Sequence, residues 1–209
     1  FERLTEAIGE HKRLTMPITY RCPASHVDLA REIVPDFQAR EGAPEGVLEY
    51  AHSDDFPALV RAGDLVICRT TAPLIKNCIK LLQVGIPAYV RGRALHKELI
   101  DFIKKAMSFA NTKLVKEALG AVEAYKIHQV EALVNNDASE SAVSNFTDRA
   151  ECAQAILKAY PVNSLDELSE KIKKLTVEPD DTEKVVLATG HRSKGDENKR
   201  VFVLNYSWL

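Results

Sequence analysis

No stretch of this 209-residue chain approaches the ~18 consecutive apolar residues that a membrane span requires, which excludes a helical membrane protein. The opening residues FERLTEAIGEHKR are charged and contain no apolar signal core. Cysteine is sparse: Cys22, Cys68, Cys78 and Cys152 form no C-x-x-C pair and have no histidine at metal-ligand spacing beside them. Reduced thiols of a cytoplasmic protein fit that scatter better than disulfides, and no metal cage is expected. An excess of positive charge is also missing, since 28 Lys and Arg stand against 30 Asp and Glu. A wholly basic surface of the sort that coats nucleic acid is thereby excluded, and any such contact has to come from a local patch. Finally, G-x-x-x-x-G-K-[ST] occurs nowhere, and GHRSKG (190–195) is no substitute for it. The chain therefore has no phosphate-cradling loop of its own.

What is present is apolar residue enough, 45%, for a substantial core. Short β-rich runs recur at 46–50 (GVLEY), 64–68 (DLVIC), 86–90 (IPAYV), 184–188 (KVVLA) and 201–205 (VFVLN). Several are continuously apolar, as strands covered on both faces by helices tend to be. After Pro23, the residues Val27, Ala30, Ile33 or Val34 and Phe37 recur at helical spacing, with Pro35 expected to break or kink that helix. Leu74, Ile75, Cys78, Ile79 and Leu82 make a second helical stripe. Alternating β and α elements predict a parallel α/β sheet flanked by helices.

From about residue 94 to 175 the β signal vanishes. Leu95, Leu99, Phe102 and Ala106, then Val115, Ala118, Val122 and Tyr125, fall at helical spacing. The SLDE sequence at 164–167 predicts a Ser cap ahead of a helix with Leu165, Leu168, Ile172 and Leu175 on one face. A polar connector, TVEPDDTE (176–183), then returns the chain to β structure. The expected organisation is a discontinuous sheet domain, 1–93 plus 181–209, interrupted by an all-helical inserted subdomain, 94–180. Because the sequence begins at Phe1 and stops soon after a strand, it is expected to be a piece of a longer protein.

The stretch VVLATGHRSKGDENKRVFVLN (185–205) places charge, glycine and hydroxyl residues between two apolar runs. In an open parallel sheet, loops leaving the carboxyl ends of strands are where ligands bind. Thr189, His191 and Lys194 can offer hydrogen bonds and charge to phosphates, while Gly190 and Gly195 let backbone amides approach an anion. A solvated turn accounts for the same composition. The pattern T-x-H-x-x-K-G-x-E, filled by Thr189, His191, Lys194, Gly195 and Glu197, resembles a late motif of superfamily 1 helicases of the UvrD/Rep/PcrA type. Two more stretches match that family in the same order. LTMPITYRCPASHVDLA resembles its N-Y-R motif at Tyr20 and Arg21; DLVICRTTAPLI and the later GIPAYVRG resemble its R-T-N-A motif and the G-I-P-Y-type strand that follows.

The resemblance implies the second RecA-like motor domain of a helicase, a P-loop-NTPase-type sheet lacking the P-loop, with an inserted helical subdomain shorter than the family usually has. It implies a catalytic role for Arg21, whose planar fork would reach the γ-phosphate of a nucleotide held by another domain. Tyr20 would stack on the adenine, Glu197 would accept from the ribose hydroxyls, and Gly195 would belong to the same ATP-binding set. Thr189, His191, Lys194, Arg69 and Thr70 would contact the backbone of single-stranded DNA. Asp196 departs from the pattern, which carries Leu or another apolar residue there, and Thr71 stands where Asn is common.

Alternatives stand beside each role: a salt-bridged surface Arg21, a core or edge Tyr20, a solvated Glu197 and a structural, hydrogen-bonded His191. Arg91 and Arg93 read equally as DNA-facing or as hinge-region charges. The implied whole is an ATP-dependent 3′ to 5′ DNA helicase. ATP with Mg²⁺ would be held mainly by an N-terminal RecA-like domain of the same polypeptide, and the present chain alone would not hydrolyse ATP. Its partners would be single-stranded DNA and duplex junctions, with no membrane. Two rivals remain: a RecD-like helicase fragment, whose late motif shares the H-x-x-K-G core, and a non-catalytic RecA-like module that binds DNA or protein. GIPAYVRG and the helical insertion favour the UvrD type over RecD; Asp196 and the short insertion lend weight to the module.

Overall fold

Alternation of β and α signals is realised as parallel pairing throughout. The computed structural model describes residues 12, 15–92, 94–177 and 183–205, which leaves Arg93, most of the connector at 176–183 and most of the N-terminal charged stretch outside the described residues. The chain divides into two compact units, Phe1–His52 and Ser53–Leu209.

In the first unit, β1 (Ile18–Thr19) leads through α1 (Ala24–Arg31) to β2 (Gln38–Ala39). β1 and β2 pair in parallel, Ile18 against Gln38 and Thr19 against Ala39. α1 buries Val27 and stops at Arg31, short of the full apolar stripe. The amides of Ile33 and Val34 both turn back to the carbonyl of Ala30, and both side chains are exposed. The cause is Pro35, which disfavours helical geometry in the residue before it, so a break prevails over a kink.

The expected strand at 46–50 does not form. Gly46 donates its amide to Ser25 Oγ at 3.0 Å, Ser25 Oγ donates to the Gly46 carbonyl at 3.0 Å, and His26 Nε2 lies 3.3 Å from the Val47 carbonyl. These side chains take the backbone groups that a sheet ladder would use. The contact is close enough that a Cβ on Gly46 would meet His26 Cε1 at 2.8 Å and Pro23 Cβ at 2.9 Å.

The second unit runs α2 (Phe56–Leu59), β3 (Leu65–Cys68), α3 (Ala72–Gln83), β4 (Ala88–Val90), α4 (Leu95–Phe109), a 3₁₀ turn (Val115–Glu117), α5 (Ala118–Asn135), α6 (Glu140–Ala159), α7 (Leu165–Thr176), β5 (Val185–Thr189) and β6 (Val201–Val203). Its four strands lie in the order β4-β5-β3-β6, all parallel. The late strand β5 is inserted between β3 and β4, pairing Val66 with Leu187 on one side and Val90 with Leu187 on the other. Val66, Cys68, Ala88, Val90, Val185 and Leu187 share one cluster with the apolar faces of α3, α4 and α7. Leu65, Tyr89 and Ala188, which alternate with them, are buried as well. With both sets withdrawn from water, the strands read as continuous apolar runs.

α3 buries Leu74, Ile75, Cys78 and Ile79, and each fully buried Leu or Ile contributes about 1.5–3 kcal/mol. The helical residues 95–176 join the same core rather than forming one of their own. Phe102, Tyr125 and Phe146 from α4, α5 and α6 meet at centroid distances of 5.4–5.7 Å, in tilted or edge-on geometry. Ser164 caps α7 by accepting from the Glu167 amide at 3.1 Å; the Glu167 carboxylate reaches back to the amide of Asn163 at 3.3 Å, one residue beyond the usual capping-box partner. Among the described residues no helix is long and apolar enough to cross a membrane.

All four cysteines are free thiols. Burial pushes the Cys78 thiol from 9.0 up to about 12. Burial also holds Cys152 well above its ordinary value, and the carboxylates of Asp148 and Glu151 add to the effect. In the native chain, a thiol reagent at pH 8 should therefore modify half-buried Cys22 first and leave Cys78 and Cys152 untouched until the fold opens. Fast native labelling at Cys78 would contradict this packing. The sign of the linkage follows: an unfolded Cys78 ionises above pH ~9 and the folded one does not, so the stability it lends is complete below that pH and declines toward pH 12.

Candidate functional site

The carboxyl ends of β3 and β5 lie side by side, with Cys68 in register with Thr189. Arg69 and Thr70 follow the first strand and Gly190 to Lys194 follow the second, so the two loops share one edge of the sheet. The Gly190 amide donates to the Cys68 carbonyl at 3.2 Å and ties them together. Beyond it the chain turns tightly: the amides of Arg192 and Ser193 both donate to the Thr189 carbonyl, at 2.8 and 3.0 Å. Gly195 sits at φ +99°, a left-handed conformation that favours glycine, and the Asp196 amide closes the next turn on the Ser193 carbonyl. Open space surrounds the position of a Cβ on Gly195, so backbone conformation is what requires glycine there.

This loop is clasped to the end of β4 from both sides. Arg91 Nη1 donates to Asp196 Oδ2 in a close ion pair and lies 3.4 Å from the Arg192 carbonyl. In return Arg192 Nη1 donates to the Arg91 carbonyl at 3.0 Å. Gly92 makes room for the crossing: a Cβ there would collide with Arg192 Nη1. Burial works against the Arg91 charge, yet its hydrogen bonds to Asp196 and Tyr89 lift the guanidinium above its ordinary value. Asp196 is thereby half-buried and neutralised by Arg91.

The far foot of the loop is fixed at the opposite end of β3. Asn198 Nδ2 donates to the Gly63 carbonyl at 3.2 Å and Arg200 Nη2 to the Leu59 carbonyl at 2.8 Å. Arg200 Nε also stands 3.6 Å from buried Asp64, which accepts the Arg61 amide at 2.7 Å.

A third carboxylate sets the neighbouring loop. Asp148 on α6 accepts the Thr71 amide on both oxygens, at 3.0 and 2.9 Å, and the Ala72 amide at 2.7 Å. These are orphan donors of the first turn of α3, and the carboxylate meets the positive end of that helix. No local signal could have revealed this partner, because Asp148 lies 77 residues from Thr71.

Thr189, His191, Lys194, Gly195, Arg69 and Thr70 are thus gathered where β3 and β5 end, and Glu197 follows on the return of the loop, just before Asn198 at its far foot. His191, Lys194 and Arg69 are exposed and form no ion pair among the described residues. Thr189 and Thr70 are half-buried. Tyr20 and Arg21 belong to the first unit. There Tyr20 is 80% exposed and lines an open depression with Ile18, Arg40 and Glu41, and the Arg21 amide donates to Thr19 Oγ1 at 3.3 Å. Among the described residues no three His, Cys, Asp or Glu side chains converge as a metal site. No family model, curated protein or solved structure matches the chain.

Two measurements check this geometry. Asp148→Ala leaves two helix-end amides unsatisfied and should cost about 1–2 kcal/mol, lowering Tm by about 2–4 °C for each kcal/mol, while Asp148→Asn keeps an acceptor and costs less. Equal Tm values for all three proteins would refute the capping role. In a double-mutant cycle, Asp196→Asn and Arg91→Gln should each cost about 1 kcal/mol and the pair little more than either alone. Strict additivity would mean that the two side chains do not act together.

Proposed function

We propose that the chain is the second RecA-like motor domain of an ATP-dependent DNA helicase or translocase of the UvrD type. One observation carries this reading: Thr189, His191, Lys194 and Gly195 of T-x-H-x-x-K-G-x-E lie where β5 ends at the carboxyl edge of a parallel sheet, beside Arg69 and Thr70. Ligands of open parallel sheets bind at that edge. The two loops expose Arg69, Arg192 and Lys194 with the His191 ring beside them, against the exposed carboxylate of Glu197, and the Asp196 carboxylate is taken up by Arg91. A local cationic patch on an acidic chain is the charge distribution that a phosphodiester backbone requires, and it confers position without base preference.

Lys194 and His191 would hold backbone phosphates, with the Thr189 and Thr70 hydroxyls as further donors. Within the first unit, Tyr20 offers an exposed ring for an adenine and, by the family resemblance, Arg21 a guanidinium for the γ-phosphate; for Glu197, in the second unit, a ribose contact comes with the resemblance alone. ATP with Mg²⁺, held mainly by an N-terminal RecA-like domain of the same polypeptide, would supply the free energy for alternating grips on the strand. Polarity from 3′ to 5′ comes with the family resemblance, as does a helical insertion within the motor domain.

Binding of a labelled oligothymidylate should weaken as salt rises, and Lys194→Ala should lower both the affinity and the salt slope. Salt-independent uptake would count against a phosphate-backbone site. In the full-length protein, Arg21→Ala should reduce ATP turnover by a factor of about 10³–10⁵ with the fold intact. Unchanged turnover would leave a non-catalytic binding module.

A further inference from the structure

Between α6, the start of α4 and the first turn of the 190–200 loop lies a cleft of about 260 Å³. Its accessible lining is polar: Leu95, Leu99 and Cys152 lie beneath it with almost no exposed surface, Leu99 and Cys152 at 1%, whereas Asn145, Arg149, Glu98 and Arg192 are exposed. Asp148 also borders the cleft, but both its oxygens accept amides from the start of α3, so its charge is already matched by the helix end. Arg192 spends one nitrogen on the Arg91 carbonyl, and a guanidinium has five donor hydrogens to distribute. Arg149 has no hydrogen-bond or ion-pair partner among the described residues. Glu98 is then the one uncompensated carboxylate facing two guanidinium groups.

We infer that this cleft takes a backbone phosphate of single-stranded DNA, with Arg149 gripping it. This rests on the helicase reading and adds to it a contact from the helical segment, which no resemblance assigns. Two exposed guanidinium groups in one lining suit a phosphodiester, and a planar guanidinium can both pair with phosphate and stack on a base. Arg192 joins the cleft to the loop that carries His191 and Lys194, so a strand lying along that loop runs on to Arg149. Glu98 opposes the phosphate and moderates the grip.

The test is a salt titration of oligothymidylate binding with the 209-residue chain, comparing wild type with Arg149→Ala, Arg149→Lys, Glu98→Gln and Lys194→Ala. Arg149→Ala should weaken binding about fivefold at low salt and reduce the slope of log K against log salt by about 0.7, the value for one phosphate contact on a single strand. Arg149→Lys should restore most of the slope, and Glu98→Gln should tighten binding about twofold by removing the opposing charge. Arg149 is exposed, so its variants should melt with the wild type, which separates a binding defect from a folding one. If Lys194→Ala weakens binding and Arg149→Ala leaves affinity and slope unchanged, the cleft is overturned and the helicase reading stands. A wild-type chain that takes up no oligonucleotide sinks both. Adenosine monophosphate shares the ligand chemistry; if it displaces the oligonucleotide from wild type and not from Arg149→Ala, the cleft is a free-nucleotide site and the strand contact is refuted.

Discussion

The position of β5 between β3 and β4 is the constraint on which the second unit depends. β3 and β4 are joined through α3 but do not pair with each other. Each pairs with β5, whose amide at Val186 donates to the Asp64 carbonyl and whose Leu187 carbonyl accepts the Arg91 amide. The sheet is therefore incomplete until the chain has passed through the whole helical segment and returned. Pairing at such sequence distance costs loop-closure entropy, and helices packed on the sheet shorten the loop that has to be closed. Residues 95–176 share the sheet's core accordingly: Leu99, Ile103, Ile172 and Leu175 pack with the same cluster as Val66 and Leu187.

The same topology explains why the candidate site is a loop of charge. β6 pairs with the far side of β3, so residues 190–200 must travel from the carboxyl end of the sheet back to its amino end. No helix covers that return, and an unsupported loop of this length would leave polar groups without fixed partners. It is fixed instead at discrete points, by Arg91 and Asp196 at one end and by Asn198 and Arg200 at the other. Three carboxylates do related work here. Asp64 and Asp148 accept backbone amides, and Asp196 accepts a guanidinium; each holds a loop against the sheet.

Much of this fold was legible from periodicity, because the strands at 65–68, 88–90, 185–189 and 201–203 are apolar runs and the helices carry single apolar faces. The run at 46–50 misled for a definable reason: its apolar residues satisfy a strand pattern, but Ser25 and His26 capture its backbone and leave Val47 and Tyr50 largely exposed. Propensity could not weigh a side-chain contact made from a neighbouring helix. In the candidate site, the proximity of Thr189, His191 and Lys194 was legible, since the three are local in sequence. The clasp and the helix cap were not, because Arg91 with Asp196 and Thr71 with Asp148 are contacts over 105 and 77 residues with no periodic signature.

Asp196 is the residue at which sequence pattern and structure bear on each other most directly. Placed where the helicase pattern has an apolar side chain, it reads as an added negative charge beside a phosphate-binding loop, and so as a reason to doubt the site. Its environment reverses that reading. An apolar residue at a half-buried position would hold the loop through packing; Asp196 holds it through Arg91, whose strand position is fixed by the β4–β5 ladder. The pair cancels in charge, and Arg69 and Lys194 form no ion pair among the described residues. A substitution that changes the means of anchoring keeps the loop tied to the end of β4. The weight of the departure therefore shifts from the ligand to the fold: what Asp196 alters is how the loop stays in place, and Arg91 is the residue that makes the exchange possible.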